Sequence, residues 1–275
     1  MKELKGKVAA ITGAGSGLGR AMALALAREG MKVAVADVDQ EGLDETVALL
    51  GDASLISMKV DVSREADVEE FSKQIGRPYL VCNNAGVSPL GAVWENSVGD
   101  WQWILGVNLW GVIHGVRAFT PRLIAQGEGH IVNTASVAGL ISPPGSGAYN
   151  VTKHAVVALS ESLHHDLKER SSNVGVSVLC PAYVSTGISN SERNRPKEFL
   201  NLNQEKSELQ KAKEANLKKA VSSGRLTADD VAKAVVAAVK EDRFYILTHP
   251  RIKGAIQARM EDILNERAPR DPLRL

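Results

Sequence analysis

The sequence has few cysteines and no hydrophobic run long enough to span a membrane. Only two cysteines, Cys82 and Cys180, occur in the 275 residues, and they lie far apart in the chain. A pair this sparse indicates neither a disulfide framework nor a thiolate metal site, and it favours reduced, structural thiols. The longest apolar runs, such as residues 21–27 and 234–239, fall well short of the roughly 18 residues that a spanning helix needs. The apolar run near the N-terminus is too short for the core of a signal peptide. We therefore expect a cytoplasmic protein with no membrane partner.

The chain also lacks an excess of either charge. It has 33 Lys and Arg residues against 32 Asp and Glu, which gives a net charge of +1. This balance provides no basic field for a nucleic-acid backbone, so nucleic acid is not an expected partner. The neighbouring His164 and His165 cannot share a helix face, and no metal site is expected. The hydrophobic content of 44% is that of an ordinary globular protein.

Short apolar runs rich in Val and Ile alternate with segments of helical periodicity. The runs are residues 8–11, 33–36, 55–60, 79–82, 130–133, 174–179 and 244–247. The helical segments are residues 18–29, 40–50, 63–75, 98–126, 148–170 and 226–240. This alternation is typical of βαβ units, and continuous apolar runs suit parallel strands covered on both faces. We predict an α/β fold: a doubly wound, Rossmann-type parallel sheet of about seven strands, in three α/β/α layers and one domain.

One polar, Lys-rich segment interrupts this alternation. It covers residues 185–224 and follows a predicted strand end, where ligands bind in sheets of this kind. Two interpretations stay open: a charged helical excursion on the surface, or an insertion that covers the substrate. We assign residues 1–250 to a dinucleotide-binding catalytic domain and residues 251–275 to a C-terminal helix and polar tail.

A glycine-rich turn joins the first predicted strand to the first predicted helix. Residues 12–19 read TGAGSGLG, with glycines at Gly13, Gly17 and Gly19. Glycines let the backbone approach a pyrophosphate, whose charge is met by the amides at a helix N-terminus. The turn departs from the G-x-G-x-x-G pattern because Leu18 replaces the last glycine, so alone it is weak support for a nucleotide site.

Asp37 strengthens the nucleotide interpretation. It ends the second predicted strand, 18 residues after Gly19. A carboxylate there can accept hydrogen bonds from ribose hydroxyls and repels a 2′-phosphate, which favours NAD over NADP. An Asp that merely ends a strand is the alternative. Taken together, the turn and the acid favour a dinucleotide.

Tyr149 and Lys153 lie four residues apart at the start of a predicted helix and therefore share one face. Spacing alone favours an exposed surface pair. The alternative is catalytic: a nearby cation favours the phenolate, and a fall of about three units in the pKa of the phenol would need roughly 4 kcal/mol.

These motifs together resemble the short-chain dehydrogenase/reductase family, in its single-domain branch with the T-G-x-x-x-G-x-G turn. The resemblance runs to about residue 187 and includes Y-x-x-x-K at Tyr149 and Lys153, N-N-A-G from Asn83, D-V from Asp61, and a P-A-Y-V-S-T segment from Pro181. In that segment Ala182 replaces the glycine of the family. The resemblance implies NAD contacts at Gly13, Ser16, Gly17, Leu18, Gly19, Asp37, Asp61, Val62, Asn83, Ala85, Gly86, Tyr149, Lys153, Pro181, Val184 and Thr186.

The resemblance also implies catalytic roles. Tyr149 would act as general acid and base, Lys153 as its electrostatic partner and ligand of the nicotinamide ribose, and Ser136 as a donor to the reacting oxygen. Asn108 would hold a water that passes the proton to solvent. The expected enzyme is an NAD-dependent oxidoreductase that interconverts a secondary alcohol and a ketone.

The substrate is less defined by the sequence. The segments DWQWILGVNLWGVIHG, ISNSERNRP and FYILTHP are similar to those of bacterial members that act on benzylic alcohols of aryl ethers, which favours a bulky aryl alcohol. Two alternatives stay open: NADPH-dependent reduction of a β-ketoacyl thioester, which Asp37 disfavours, and a non-catalytic NAD sensor. The resemblance further implies a homo-oligomer, a dimer or tetramer formed through helices 98–126 and 148–170.

Overall fold

A single parallel sheet organises the chain. The computed structural model describes residues 3–201, 206–222 and 226–274. The strands are β1 (Val8–Thr12), β2 (Lys32–Asp37), β3 (Ser54–Lys59), β4 (Pro78–Asn83), β5 (Gly129–Thr134), β6 (Val174–Cys180) and β7 (Tyr245–Leu247). They form one 7-stranded sheet in the order β3-β2-β1-β4-β5-β6-β7, and every neighbouring pair is parallel. The predicted Rossmann-type sheet is confirmed.

Helices cover both faces of the sheet. They are α1 (Gly17–Arg28), α2 (Gln40–Leu50), α3 (Glu65–Gln74), α4 (Val98–Leu105), α5 (Gly111–Gln126), α6 (Gly147–Glu169), α7 (Glu208–Ser222), α8 (Ala228–Glu241) and α9 (Ile252–Leu264). On one face, Met22 of α1 and Val235 of α8 pack in a single buried cluster. On the other face, Phe71 of α3 and Phe119 of α5 meet edge to face, with ring centroids 6.4 Å apart.

Coverage on both faces explains the composition of the central strands. Every residue of β4, β5 and β6 is buried, as the continuous apolar runs of these strands predicted. The edge strand β3 instead alternates half-buried and exposed residues, because a helix protects only part of it.

One predicted helix is interrupted. Residues 98–126 form α4 and α5 with a π-helical turn, Gly106–Trp110, between them. The turn directs the fully buried Asn108 towards the backbone of Val87, where both of its amide atoms form hydrogen bonds. Helical periodicity cannot reveal such a turn, since a π turn adds one residue without ending the helix.

The segment after β6 lies across the carboxyl edge of the sheet. It contains two 3-10 turns, Gly187–Asn194 and Lys197–Phe199, followed by α7. Residues 202–205 and 223–225 of the predicted insertion lie outside the described residues.

The C-terminal residues 265–274, which we call the tail, fold back on α9. Arg270 holds the buried Asp262 of α9 through an ion pair of 3.0 Å, and its backbone amide also donates to that carboxylate. Within the described ranges, no helix has the length and apolar character needed to cross a membrane. The division at residue 250 stays a prediction.

Candidate active site

A cleft of about 800 Å³ opens at the carboxyl ends of the central strands. Strand order reverses between β1 and β4, and this switch point is where open α/β sheets bind their ligands. Side chains from the glycine-rich turn, the ends of β2, β4 and β5, the start of α6 and the segment after β6 line the cleft. Leu273 of the tail also reaches it.

Two glycines of the glycine-rich turn, Gly13 and Gly19, have no room for a side chain. A Cβ atom on Gly19 would lie 1.9 Å from the carbonyl oxygen of Gly13, and one on Gly13 would lie 2.7 Å from the Cα of Ala85. Gly13 and Gly17 also have left-handed backbone angles, with φ of +67° and +53°. The turn delivers the N-terminus of α1 to the cleft, and the Ser16 hydroxyl does not cap it. These features fit the pyrophosphate of a dinucleotide.

Asp37 lies beside this turn, as its sequence position predicts. Its Oδ2 atom accepts from the backbone amide of Gly15 at 2.8 Å, and its Oδ1 atom accepts from that of Asp39 at 3.0 Å. A carboxylate has about four acceptor positions, so capacity remains for ribose hydroxyls. The arrangement fits NAD and disfavours a 2′-phosphate at the same place.

Asp61 and Val62 form the next part of the cleft wall. The Oδ1 atom of Asp61 accepts from the backbone amide and the hydroxyl of Ser63, at 3.0 and 2.7 Å. His114 of α5 holds the backbone at Val62, because its Nδ1 atom lies 2.9 Å from the carbonyl oxygen of Val62. Asp61 and Val62 both line the cleft, and their contact with a cofactor stays a prediction.

Asn83 is placed differently from its neighbours. Its side chain is buried in the sheet, where Nδ2 donates to Asn133 at 2.9 Å, and it does not line the cleft. Asn84 lines the cleft instead and joins three strands: its backbone amide donates to Thr12 Oγ1 at 3.0 Å, and its Oδ1 accepts from Thr134 at 3.2 Å. Ala85 and Gly86 line the cleft, and their contact with a cofactor stays a prediction.

Ser136, Tyr149 and Lys153 meet in the cleft. Nζ of Lys153 donates to the carbonyl oxygen of Thr134 at 2.8 Å and lies 5.6 Å from the ring centroid of Tyr149. The Ser136 hydroxyl, held by the carbonyl oxygen of Pro181 at 3.3 Å, also interacts with the Tyr149 phenol. Sequence spacing alone favours an exposed pair for Tyr149 and Lys153, but Lys153 is only 2% exposed.

Burial controls both pKa values. It raises the pKa of Tyr149 to about 12, although the hydrogen bond with Ser136 acts in the opposite direction. It lowers the pKa of Lys153 to about 8. The expected fall in the pKa of the phenol is therefore not a property of these side chains by themselves, because desolvation outweighs the hydrogen bond with Ser136.

Asn108 connects the cleft wall to α6. Its Oδ1 accepts from the amide of Val87 at 2.8 Å, and its Nδ2 donates to the carbonyl of Val87 at 2.9 Å and to Thr152 at 3.3 Å. Thr152 donates in turn to the carbonyl of Tyr149. The side chain of Asn108 thus fixes the loop after β4, and its role in a water relay stays a prediction.

The segment after β6 closes the cleft with Pro181, Val184 and Thr186, all of which line it. Ala182 does not have a left-handed backbone, so the replacement of the family's glycine causes no backbone strain. Its amide donates to His249 Nδ1 at 3.3 Å, a contact that the sequence did not reveal.

Residues 187–195, which we call the strap, cross the cleft and contact three other parts of the chain. Ser191 accepts from the backbone amide of Ser88 at 3.1 Å, and Arg193 donates to Ser16 Oγ at 3.3 Å. Arg195 forms an ion pair of 2.6 Å with the buried Asp100 of α4. The strap has no periodic apolar pattern, so sequence reasoning could not assign these contacts.

Aromatic and apolar side chains line the remaining part of the cleft. The tryptophans cluster around α4, and Trp103 is the one whose buried side chain faces the cleft, whereas Trp94 and Trp110 are exposed. Phe199 follows the strap, and Leu217 and Val221 reach the cleft from α7. Among the residues that the structure describes, no group of three or more His, Cys, Asp or Glu side chains forms a metal site.

Comparison with known proteins agrees with this geometry. Residues 7–197 match the family model described as short chain dehydrogenase. The chain is similar to the CLA biosynthesis dehydrogenase/reductase of Lactiplantibacillus plantarum, with 33% identity over 98% of this chain and 97% of that protein. It is also similar to the C alpha-dehydrogenase of Sphingobium sp., with 32% identity over 98% of this chain and 89% of that protein.

A solved structure shares the whole fold. It is a short chain dehydrogenase/reductase from Burkholderia phymatum in complex with NAD, and it is 49% identical to this chain. The alignment covers 99% of both chains with a TM-score of 0.96.

Proposed function

The chain belongs to the short-chain dehydrogenase/reductase family, and we propose that it transfers a hydride between NAD and a bulky secondary alcohol or the matching ketone. The observation that carries this proposal is the meeting of Ser136, Tyr149 and Lys153 in the cleft that also contains the glycine-rich turn and Asp37. An oxidoreductase of this family needs the cofactor site and the proton-transfer residues in one cleft, because hydride and proton leave the same alcohol.

In this mechanism the protein residues handle the proton. The Ser136 hydroxyl donates to the oxygen of the substrate. The Tyr149 phenolate accepts the hydroxyl proton during alcohol oxidation, and the phenol returns a proton during reduction of the ketone. Bound NAD supplies the hydride acceptor and, in its oxidised form, a positive charge. Lys153 adds a second cation beside Tyr149, which favours the phenolate that burial otherwise disfavours.

We propose cofactor contacts through Gly13, Ser16, Gly17, Leu18, Gly19, Asp37, Asp61, Val62, Ala85, Gly86, Pro181, Val184 and Thr186. All of these except Gly19 line the cleft, and Gly19 permits the close approach of α1 to Gly13. Asn83 supports the site from within the sheet, and any contact with the cofactor comes from its backbone rather than from its side chain.

The substrate we propose is an aryl alcohol whose hydroxyl is benzylic. Trp103, Phe199 and Tyr183 supply aromatic surface in the cleft, which suits a planar ring. Similarity to a protein named C alpha-dehydrogenase supports this choice. Reduction of a β-ketoacyl thioester with NADPH is the alternative, and Asp37 disfavours it.

We also propose that the protein is a cytoplasmic homo-oligomer. Large apolar side chains are exposed on the helices predicted to form the interface: Trp110 is 51% exposed and Val151 of α6 is 50% exposed. Exposed apolar side chains on both of these helices support contact with another protein. Buried, unpaired Cys82 and Cys180 support a reducing compartment.

The test is NADH formation, followed at 340 nm, with a panel of aliphatic and benzylic secondary alcohols and with NAD and NADP in parallel. The proposal expects turnover with NAD that is fastest for benzylic alcohols. Fastest turnover with aliphatic alcohols would contradict a benzylic alcohol as the substrate class. Absence of turnover, in a protein that binds NADH, would favour the thioester or the sensor alternative.

A further inference from the structure

Arg193 lies on the strap, directly above the start of α1. Its Nη1 atom donates to the backbone carbonyls of Gly187 and Asn190, at 3.0 and 2.9 Å. Its Nη2 atom donates to the hydroxyl of Ser16 at 3.3 Å. The first two bonds fix the guanidinium to the strap, and the third brings it to the glycine-rich turn.

The charge of Arg193 has no counter-ion in the described part of the chain. No carboxylate there lies within ion-pair distance of it. Its hydrogen bonds go to three neutral oxygens, those of Gly187, Asn190 and Ser16, and they use three of the five N–H donors of the guanidinium. By contrast, Arg195, two residues later, pairs with both Asp100 and Glu192. Arg193 therefore keeps its full charge and part of its donor capacity for a ligand in the cleft.

The ligand that belongs at this position is an anion. The residue just before the strap also lies close to the glycine-rich turn, since a Cβ atom on Gly17 would lie 3.2 Å from the Cβ of Thr186. Both contacts are at the N-terminus of α1, where backbone amides and the helix dipole attract negative charge. Ser16, the residue that precedes α1, directs its hydroxyl to Arg193 instead of capping the helix.

We propose that Arg193 is a cofactor-binding residue that binds the pyrophosphate of NAD from the strap side, opposite the amides of α1. The proposal rests on the use of NAD and is independent of the substrate. A guanidinium suits this role because its fork can donate two hydrogen bonds to one phosphate group. Closure of the strap and binding of the cofactor then stabilise one another, since the strap carries the positive charge.

The test measures binding rather than turnover. NADH is titrated by its fluorescence into the wild type and into the R193A, R193K and K197A variants, and ADP-ribose and AMP are measured by displacement of bound NADH. Lys197 is the matched control, because it is an exposed cation that follows the strap but does not line the cleft. Thermal unfolding of each variant confirms that it is folded.

We expect R193A to weaken binding of NADH and of ADP-ribose by about 10-fold, which corresponds to about 1.4 kcal/mol. Binding of AMP, which has no pyrophosphate, should weaken by about 3-fold at most. The NADH affinity of R193K should lie between those of the wild type and R193A, because lysine keeps the positive charge but cannot donate two parallel hydrogen bonds to one phosphate. K197A should bind all three ligands as the wild type does. The dependence of NADH affinity on salt should also become weaker in R193A than in K197A.

Three results would overturn the inference. Unchanged NADH affinity in R193A would mean that Arg193 does not bind the cofactor. An equal loss for AMP and ADP-ribose would mean that Arg193 only shapes the strap. A loss of NADH affinity in K197A equal to that in R193A would mean that any nearby positive charge has this effect. Failure of the wild type to bind NADH is a different outcome, because it would contradict the proposed function itself.

Discussion

Tyr149 and Lys153 share a pocket that disfavours charge on both side chains. Burial raises the pKa of the phenol to about 12 and lowers that of the ammonium to about 8. Two neighbouring groups with pKa values displaced in this way are typical of sites that move protons. These two pKa shifts affect both activity and stability, and the two effects can be measured separately.

The first prediction concerns catalysis by Tyr149. Tyr149→Phe removes the hydroxyl but keeps the ring, so NADH binding should change by less than about 3-fold. Turnover should fall by at least about 10²-fold, because proton transfer loses its acid and base. Steady-state kinetics and NADH fluorescence measure the two effects.

Tyr245→Phe is the matched control for this prediction. Its hydroxyl donates to Glu161 outside the cleft, so turnover should stay near the wild-type value. Near-normal turnover of Tyr149→Phe would contradict the proposed mechanism.

The second prediction concerns stability against pH. Lys153 has a folded-state pKa of about 8 against an ordinary value of 10.5, so the unfolded chain binds more protons between these values. Its contribution to the free energy of unfolding should therefore rise from pH 8 to about pH 10, by up to about 3 kcal/mol. Above pH 10 the Tyr149 contribution acts in the other direction, since its folded-state pKa is raised.

Denaturant unfolding of wild type and Lys153→Met at pH 7 to 10 provides the measurement. The variant has no ammonium to deprotonate, so the difference in the free energy of unfolding between the two proteins should change with pH. A difference that is constant across this range would show that Lys153 titrates normally.

The third prediction concerns the choice of cofactor by Asp37. Asp37→Ala removes the carboxylate that repels a 2′-phosphate, so the ratio of kcat/KM for NAD to that for NADP should fall by about 10-fold or more. Asp44→Ala is the control, because Asp44 is an exposed acid on α2 that contacts Gln40. An unchanged ratio in Asp37→Ala would remove the role we give to this carboxylate.

At the scale of elements, the strap depends on one buried ion pair. Arg195 and Asp100 have side chains that are 3% and 5% exposed, and their closest atoms are 2.6 Å apart. The guanidinium also lies 4.4 Å from the ring centroid of Trp103, which lines the cleft. The pair therefore joins the strap to α4 and to the wall of the substrate site.

The fourth prediction follows from this pair. Arg195→Ala leaves the Asp100 carboxylate buried without its cation, and loss of one partner of such a pair costs about 3–5 kcal/mol. We expect a fall in the free energy of unfolding of about 3 kcal/mol, together with a higher KM for the alcohol. Urea denaturation and steady-state kinetics provide the measurements.

Arg28→Ala is the comparison for this variant. Arg28 pairs with Asp229 on the surface, and an exposed pair contributes no more than about 1 kcal/mol. Equal effects of Arg28→Ala and Arg195→Ala would contradict the anchoring role of the strap pair.

The sequence predicts elements well where a periodic pattern exists. The parallel sheet and the helices beside it follow from apolar runs and helical periodicity, and the glycine-rich turn follows from residue type. The π-helical turn at Asn108 could not be predicted from periodicity, and the hydrogen bonds that fix Asn108 come from Val87, 21 residues earlier in the chain. The strap contacts of Ser191, Arg193 and Arg195 were hidden for the same reason, since a polar segment gains its structure from distant partners.

The sequence also predicts only part of the candidate active site. Spacing predicted that Tyr149 and Lys153 share a helix face, and the structure places both at the cleft. Spacing could not show that Asn84 lines the cleft in place of Asn83, because β4 ends between these two residues and the sequence does not define that end. It also could not give the burial that sets the two pKa values.

At the scale of the whole molecule, the fifth prediction concerns assembly. Trp110 and Val151 are about half exposed on the helices that we expect to form an interface. Trp110→Glu and Val151→Glu should shift the protein to a smaller assembly, as light scattering would measure. Leu49→Glu is the control, because Leu49 is 60% exposed on α2, outside those helices. A monomeric wild type would contradict the proposed oligomer.

The tail has a practical consequence for purification of the protein. Arg270 fixes it against Asp262, and Leu273 lines the cleft. We expect that a polyhistidine tag attached shortly after Leu273 would lie near the cleft and interfere with substrate entry. Leu4 precedes β1 and therefore lies at the amino edge of the sheet, opposite that opening. A cleavable tag placed ahead of β1 avoids the cleft, and kinetic constants from enzyme tagged after Leu273 need comparison with the tag-free form.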